Sequence, residues 1–316
     1  TKDNWSSKYN LNTSSFSYSG YEKDEYKFIS RISRAIGVDN QKITLYPTEV
    51  PELAKKLQYY QDEPFGGLAS IAEYKLNMEE RKKGEIVSFE GMGGDEILGG
   101  YNSHSLLALN EMIKNKKSNK IIKNLSLYLG INNSYDRINK TKKLLKSGFY
   151  ASTDLSEYRN SDKFKNKNLK KFNWFKKIMF FDLINSKIPR TLRFRDRISS
   201  ACSRELRFPF LDHNFLTYAL SSPIEYKFNF GLPKYPLREI VKKYFKEDFK
   251  FKKRSVSSPQ TSWLQGQLKD WAMDNLNSLE KRSILDRSYI KKGRKMLTGK
   301  INNSFYIWQL INLNLF

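Results

Sequence analysis

The sequence predicts an α/β fold: a parallel sheet with flanking helices, joined to a largely helical insertion and a helical C-terminal part. Three observations carry this reading. Between residues 14 and 90, short strand-like runs alternate with longer segments of helical periodicity. From 103 to 190 the composition turns to lysine, asparagine and leucine or isoleucine at helical spacing, with no convincing β-branched run. From 195 to 316 the helical period continues.

Taken in order, SSFSYSG (14–20) alternates apolar and polar residues and stops at Gly20, as a strand does. YEKDEYKFISRISRAIG (21–37) sets Tyr26, Ile29, Ile32 and Ile36 on one helical face, with Gly37 where a C-terminal cap belongs. KITLY (42–46) is a second short strand. Helices are expected at 50–60 and about 68–80, separated by the loop QDEPFGG. GEIVSFE (84–90) is a third strand, begun after one glycine and ended at another. Strand, helix, strand, helix, helix, strand is the order of a parallel sheet covered by helices. Farther on, HNFLTYALSS (213–222), YPLREIVKKYF (235–245) and SFYIWQLINLNLF (304–316) read as helices, the last buried along most of one side. The chain therefore divides into an α/β part at 1–102, a lysine-rich helical insertion at 103–190 and a helical part at 191–316.

At 316 residues, 39% hydrophobic and 14% aromatic, the chain has ample material for a buried core and is no disordered segment. Cys202 is the one cysteine, which excludes an internal disulfide framework and points to a reducing compartment, the cytoplasm. No apolar run approaches the roughly 20 residues that span a bilayer, so no membrane partner is expected. TKDNWSSKYN at the start has neither a signal-like apolar core nor a methionine, and we expect a longer parent chain. The 57 Lys+Arg against 33 Asp+Glu give a net charge of +24. The excess is scattered along lysine runs at 114–124, 140–145, 163–177 and 242–254, which read as solvated faces. A nucleic-acid partner would rest on that charge alone and is disfavoured; the same field suits a nucleotide's phosphates.

The chemistry concentrates in VSFEGMGGDEILGGY (87–101). Five glycines surround the acid pair Asp95 and Glu96, directly after a strand. In open parallel sheets ligands bind beyond the carboxyl ends of strands, where loops enter helices. Glycines let backbone N–H groups approach such a ligand, and a helix N-terminus favours phosphate. A carboxylate there is explained by a Mg²⁺ ion bridging it to phosphate. The plainer alternative is that Asp95 caps the helix while the glycines turn the chain. The motif is neither a Walker A loop nor a dinucleotide fingerprint. Three further segments bear on the choice: DRISSACSRELRFPFLDH (196–213), GLPKYPLREI (231–240) with Lys234 between two prolines, and KKRSVSSPQTSWL (252–264).

These blocks carry a resemblance. DEILGGY is similar to the GxDExxGGY block of the asparagine synthetase family, and DRISSACSRELRFPFLDH to its DR-S-A-S-E-R-PFLDH block. GLPKYPLRE resembles the family's G-x-x-K-x-x-LRE segment, and KKRSVSSPQTSWL its RKxxxxxPQxxWL segment. SFSYSG…DEY and QDEPFG match in order and approximate spacing. The likeness covers 14–101 and 188–265.

What the resemblance implies is the synthetase domain of that family, an ATP-pyrophosphatase fold of the adenine-nucleotide alpha-hydrolase type. Such a domain uses ATP and Mg²⁺ to activate a carboxylate, typically aspartate, as an acyl-adenylate. Ammonia released from glutamine by a glutaminase domain or subunit then gives the amide. A homodimer is compatible with this. By matching positions, Asp95 is the metal and pyrophosphate carboxylate, and Glu90, Gly91, Gly93 and Gly94 approach the ATP. Tyr18 flanks the adenine, and Lys234 is the catalytic cation. Glu96, Glu205, Arg207 and Asp212 organise the site; for Glu205, Arg207 and Asp212 a buried ion-pair cluster is the alternative. His213 is read as structural and His104 is left unassigned.

The departures are equally definite. The family's SGGxDS loop, expected just upstream of the first strand, does not occur in these 316 residues, and neither does the glutaminase domain. Met92 stands where the asparagine-forming enzymes carry a catalytic glutamate, and a thioether neither transfers a proton nor binds Mg²⁺. Amidation of another acceptor such as a sugar acid, or a non-catalytic remnant acting as a binding subunit, stays open.

Overall fold

Gly37 shows how local signals set the elements. It takes φ 70°, a left-handed conformation that costs glycine little, and its N–H bonds the Arg34 carbonyl at 3.1 Å, ending the helix before it. The computed structural model describes residues 11–114, 173–244, 257–299 and 303–316. The N-terminal residues 1–10, most of the lysine-rich stretch (115–172), the basic tract 245–256 and residues 300–302 lie outside the described residues.

In chain order, β1 (Thr13–Tyr18), α1 (Tyr26–Ile36), β2 (Asn40–Leu45), α2 (Val50–Gln61), α3 (Leu68–Lys82) and β3 (Val87–Phe89) come first. The short α4 (Gly94–Leu98) leads into α5 (Asn102–Lys114), followed by α6 (Trp174–Ile184) and α7 (Lys187–Ala201). Then come β4 (Glu205–Arg207), α8 (His213–Ser221), α9 (Ile224–Lys227), the hairpin β5 (Phe228–Asn229) and β6 (Leu232–Pro233), and α10 (Tyr235–Tyr244). α11 (Gln260–Gln265), α12 (Lys269–Lys281), α13 (Arg287–Leu297) and α14 (Ser304–Leu315) close the chain. The described residues form a mixed α/β protein, mostly helical.

β1 and β2 pair in parallel from Thr13 opposite Asn40 to Tyr18 opposite Leu45, with α1 as the crossover between them. The third expected strand is shorter than its sequence signal, Val87–Phe89, and does not extend that sheet: it pairs with β4. The Glu205 N–H bonds the Ile86 carbonyl at 2.8 Å and the Glu90 N–H bonds the Arg207 carbonyl at 2.9 Å, so the two strands run in the same sense. β4 lies in a part of the sequence read as mainly helical. Its three residues are too few for a two-residue period to register.

Two compact units result. The first comprises the chain as far as Ser88, Arg193–Leu206 and the stretch from Lys250 to the end. The second comprises Phe89–Leu192 and Arg207–Phe249. In the first, Leu45, Val50, Leu57, Phe65, Leu68, Ile71, Trp263, Leu264 and Trp308 are buried, and burial of side chains this size supplies about 1.5–3 kcal/mol each. α14 packs as its pattern predicts, with Ile307, Trp308, Leu310 and Ile311 inside. The apolar face of α1 is only partly covered: Ser33 is its buried residue, and Ile36 is exposed.

The loop QDEPFGG is held by side chains distant in sequence. Gln260 Oε1 accepts the Leu68 N–H at 3.1 Å, capping α3. Gly67 has φ 108°, and a Cβ there would sit 2.0 Å from that oxygen, so the position admits only glycine. From α7, Arg193 pairs with Glu63 at 2.5 Å, Arg195 with Glu73 at 3.5 Å, and Arg197 with Asp62. In the second unit, Leu107, Leu109 and Met112 of α5 pack with Phe175, Ile178 and Met179 of α6 and with Ile224 and Phe228.

Candidate functional site

The glycine-rich turn folds into α4, a helix of 5 residues with a left-handed glycine at each end, Gly93 at φ 92° and Gly99 at φ 73°. Gly93 occupies the N-cap position, and Asp95 lies inside the first turn. The reading of Asp95 as a mere cap therefore fails. The glycines also admit neighbours. A Cβ on Gly93 would lie 2.4 Å from Leu211 Cδ2, and one on Gly94 would touch the Phe210 ring at 3.6 Å. The tightest is Gly100, where a Cβ would fall 1.7 Å from Asp95 Oδ1 and 2.4 Å from Lys234 Cε. Gly100 is therefore the floor on which the Asp95 carboxylate and the Lys234 stem rest.

Lys234 reaches this point through a hairpin. β5 and β6 pair Phe228 with Pro233 and Asn229 with Leu232, which leaves a loop of Phe230 and Gly231 at φ 49° and 70°. Positive φ at both central residues is the mark of a turn that matches strand twist. Lys234 itself has φ 54°, a strained conformation for a residue with a side chain, and its N–H bonds the Leu98 carbonyl at 3.3 Å. The result is an ion pair, Lys234 Nζ to Asp95 Oδ1 at 3.0 Å, with both side chains about one-third exposed. Two residues 139 positions apart, singled out separately from the sequence, thus meet over one glycine.

The remaining expected residues divide. Glu96, beside Asp95, is buried, and its carboxylate accepts the Tyr101 hydroxyl. Glu90 and Gly91 lead into α4, Glu90 anchored by its bond to Arg207. Asp212 caps α8, its Oδ1 accepting the N–H groups of Asn214 and Phe215, both at 3.0 Å. His213 is exposed at the start of that helix. Glu205, Arg207 and Asp212 are all exposed, so the alternative of a buried ion-pair cluster is corrected. The buried cation of that block is Arg204. Its guanidinium bonds the Glu85 carbonyl at 2.9 Å and Asn77 Oδ1 at 2.6 Å, and it meets Ser88 and Glu80.

Tyr18 ends β1 in the first unit, with Asp95 and Lys234 in the second. Its ring is buried edge-on against Phe16, Tyr21 and Trp263, and burial pushes its phenol well above the ordinary range. An open cleft of about 360 Å³, lined by Thr13, Asp39, Asn40, Glu80 and Glu85 among others, lies at the amino ends of β1 and β2. That is the opposite end of these strands from Tyr18, and the wrong end for a ligand of a parallel sheet.

His104, unassigned from the sequence, is fully buried with Asp182. His104 Nε2 lies 3.0 Å and Lys187 Nζ 2.6 Å from the same Asp182 oxygen. Burial holds the imidazole below its ordinary range, against the pull of Asp182. Burial raises the Asp182 carboxyl, and the bonds from His104 and Lys187 outweigh that and hold it down.

Among the described residues no cluster of three or more His, Cys, Asp or Glu side chains could cage a metal. A Mg²⁺ ion that arrives on a nucleotide needs only one or two protein carboxylates, its other ligands being phosphate oxygens and water. A single partly exposed carboxylate on a glycine floor, beside a cation, fits that requirement and fits a free metal poorly. No helix of the described residues is long and apolar enough to cross a membrane.

With this geometry in hand, the comparisons are specific. The chain belongs to the asparagine synthase family, whose model matches residues 5–316. Among curated proteins it is similar to "Asparagine synthetase [glutamine-hydrolyzing] 1" of Bacillus subtilis (strain 168), 24% identical over 321 residues, covering 92% of this chain and 50% of that protein. It is also similar to "Putative asparagine synthetase [glutamine-hydrolyzing] 2" of Methanocaldococcus jannaschii, 31% identical over 94 residues, 30% of this chain and 18% of that protein. The chain thus spans half the length of the first relative or less of the second.

Proposed function

We propose that this chain is the synthetase part of an ATP-dependent amidotransferase, a carbon–nitrogen ligase of the ATP-pyrophosphatase fold. A substrate carboxylate oxygen attacks the α-phosphorus of ATP, and pyrophosphate leaves. Ammonia then attacks the acyl carbon of the adenylate, AMP leaves, and the nitrogen sheds a proton to give the amide. The observation that carries this reading is the Asp95–Lys234 pair over Gly100, a carboxylate and a cation held side by side at the mouth of a glycine turn.

In this reading the backbone at Gly91, Gly93 and Gly94 lies along the phosphates, with Glu90 beside it. Asp95 holds Mg²⁺, which supplies charge neutralisation for the pyrophosphate leaving group. Lys234 bears on the negative charge that develops on phosphate or at the tetrahedral carbon. Tyr18 marks the adenine end through the edge of β1, since its ring is packed inward. Glu96 and Asp212 set the backbone of the turn and of α8, and Glu205 and Arg207 line the approach. Ammonia comes from glutamine through a glutaminase domain or subunit, and the protein works in the cytoplasm.

Met92, at the position of the family's glutamate, favours an acceptor other than aspartate, such as a sugar acid. The test is exchange of labelled pyrophosphate into ATP by the full-length protein against a panel of carboxylates. One carboxylate should support exchange, and Asp95→Asn should lower it about 100-fold or more with the melting temperature little changed. Exchange unaffected by Asp95→Asn removes Asp95 from the site, and no exchange with any carboxylate favours a binding subunit instead.

A further inference from the structure

Five residues are too few for a helix to hold its own direction, because isolated helices shorter than about 12 residues are marginal in water. With a left-handed glycine at either end, α4 has no rigid continuation into the chain around it. The aim of Asp95 must come from side-chain anchors. One side of α4 is apolar: Ile97 and Leu98 are buried against Phe210, Phe215 and Leu216. The other anchor is polar, the buried carboxylate of Glu96 held by the Tyr101 hydroxyl.

Tyr101 is in turn fixed on two sides. Lys187 Nζ sits 3.9 Å from the centre of its ring, and the His104 ring meets it edge-on at 5.0 Å. Both of these groups end on one oxygen of the fully buried Asp182. Two buried polar residues, His104 and Asp182, joined through the partly buried Lys187 and through Tyr101 to a helix of 5 residues, are costly to keep unless their geometry matters, since a partly satisfied buried network is worse than an apolar core. A purely apolar packing of Tyr101 would leave its ring free to slide, whereas a cation on its face and a ring at its edge fix the hydroxyl's position.

We infer that Lys187, Asp182 and His104 are positioning residues that act through Tyr101 and Glu96 to aim the Asp95 carboxylate at a metal–nucleotide complex. This rests on the reading that Asp95 meets that complex. It assigns a role to the one buried histidine of the described residues and to a lysine that no sequence motif marked. Outer partners of this kind commonly change metal affinity about 10- to 100-fold.

The experiment is calorimetric titration of the full-length protein with Mn²⁺·ATP in the absence of a carboxylate, alongside thermal melting. Lys187→Met should weaken binding about tenfold or more while the protein stays folded at the titration temperature. Tyr101→Phe keeps the packed ring, loses only the hydroxyl, and should weaken it similarly. Lys187→Arg keeps a cation able to stack on the ring and should recover most of the affinity, which loss of packing alone does not explain. If the wild type binds Mn²⁺·ATP and both weakened variants bind it equally well, the inference is wrong while the functional reading survives. If the wild type itself binds none, the reading of Asp95 falls and takes this inference with it.

Discussion

Gly100→Ala tests the geometry of the pair without relying on any activity. The new Cβ would stand 1.7 Å from Asp95 Oδ1 and 2.6 Å from its Cγ. Ordinary contact is about 3.5 Å, so the carboxylate has to retreat by roughly 1.8 Å. Gly100 is not one of the glycines with positive φ, so the backbone itself tolerates alanine and the cost is steric. Lys234 Cε, 2.4 Å away, is near the free end of a flexible side chain and can swing aside. The expected destabilisation is about 1–3 kcal/mol, typical of forcing a group into filled space. In an Asp95→Ala background the main obstacle is gone, and the same substitution should cost no more than about 0.5 kcal/mol, leaving a coupling of about 1–2 kcal/mol. Urea unfolding of the four proteins reads this directly, provided the slope m is unchanged. An equal cost in both backgrounds, or no cost in the wild type, refutes the placement of Asp95 over Gly100.

Two other expectations follow from side chains. Lys227 is buried, its Nζ bonded to the Ser222 carbonyl at 2.8 Å and hydroxyl at 3.0 Å, and burial, helped by nearby Lys176, pushes its pKa down to about 8 from 10.5. Between these values the unfolded chain holds a proton on this lysine that the folded chain lacks, so the contribution of Lys227 to stability should rise by about 3 kcal/mol from pH 8 to pH 10.5. Lys227→Met should remove that contribution, read as the difference between the pH profiles of the wild-type and variant urea midpoints, because buried Cys202 and tyrosines titrate with the opposite sign over the same range. Identical profiles contradict the buried lysine. Met92→Glu, assayed by product analysis, should raise amide formation from aspartate. Equal asparagine from Met and Glu forms would show that position 92 does not govern the acceptor.

Much of the local structure was legible because it depends on near neighbours. Gly37 and the apolar pattern of α14 announced a helix end and a buried face within a few residues of themselves. Asp95 and Lys234, each marked by its own block of sequence, meet in an ion pair. What the sequence withheld was set by distance. Glu205–Arg207 carries no strand signal until Val87–Phe89 lies beside it, so the first sheet was drawn with a strand too many. Arg204 reads as one more surface cation in a basic chain, yet it is the arginine that Asn77, Glu80 and Glu85 enclose. His104 and Asp182 are 78 positions apart, and neither lies in a motif. Lys227 differs, since the carbonyl that receives its ammonium is that of Ser222, only five residues back, and what the sequence does not mark there is the burial.

The central claim is that Asp95 is the carboxylate that receives the metal of a metal–nucleotide complex. Its most direct measurement is a crystal structure of the full-length protein with Mn²⁺·ATP, the ion located by its anomalous signal. The account predicts an Asp95 oxygen within about 2.2 Å of the ion, with Lys234 drawn from Asp95 toward a phosphate oxygen. An ion bound elsewhere, with the Asp95–Lys234 pair still closed over Gly100, contradicts it.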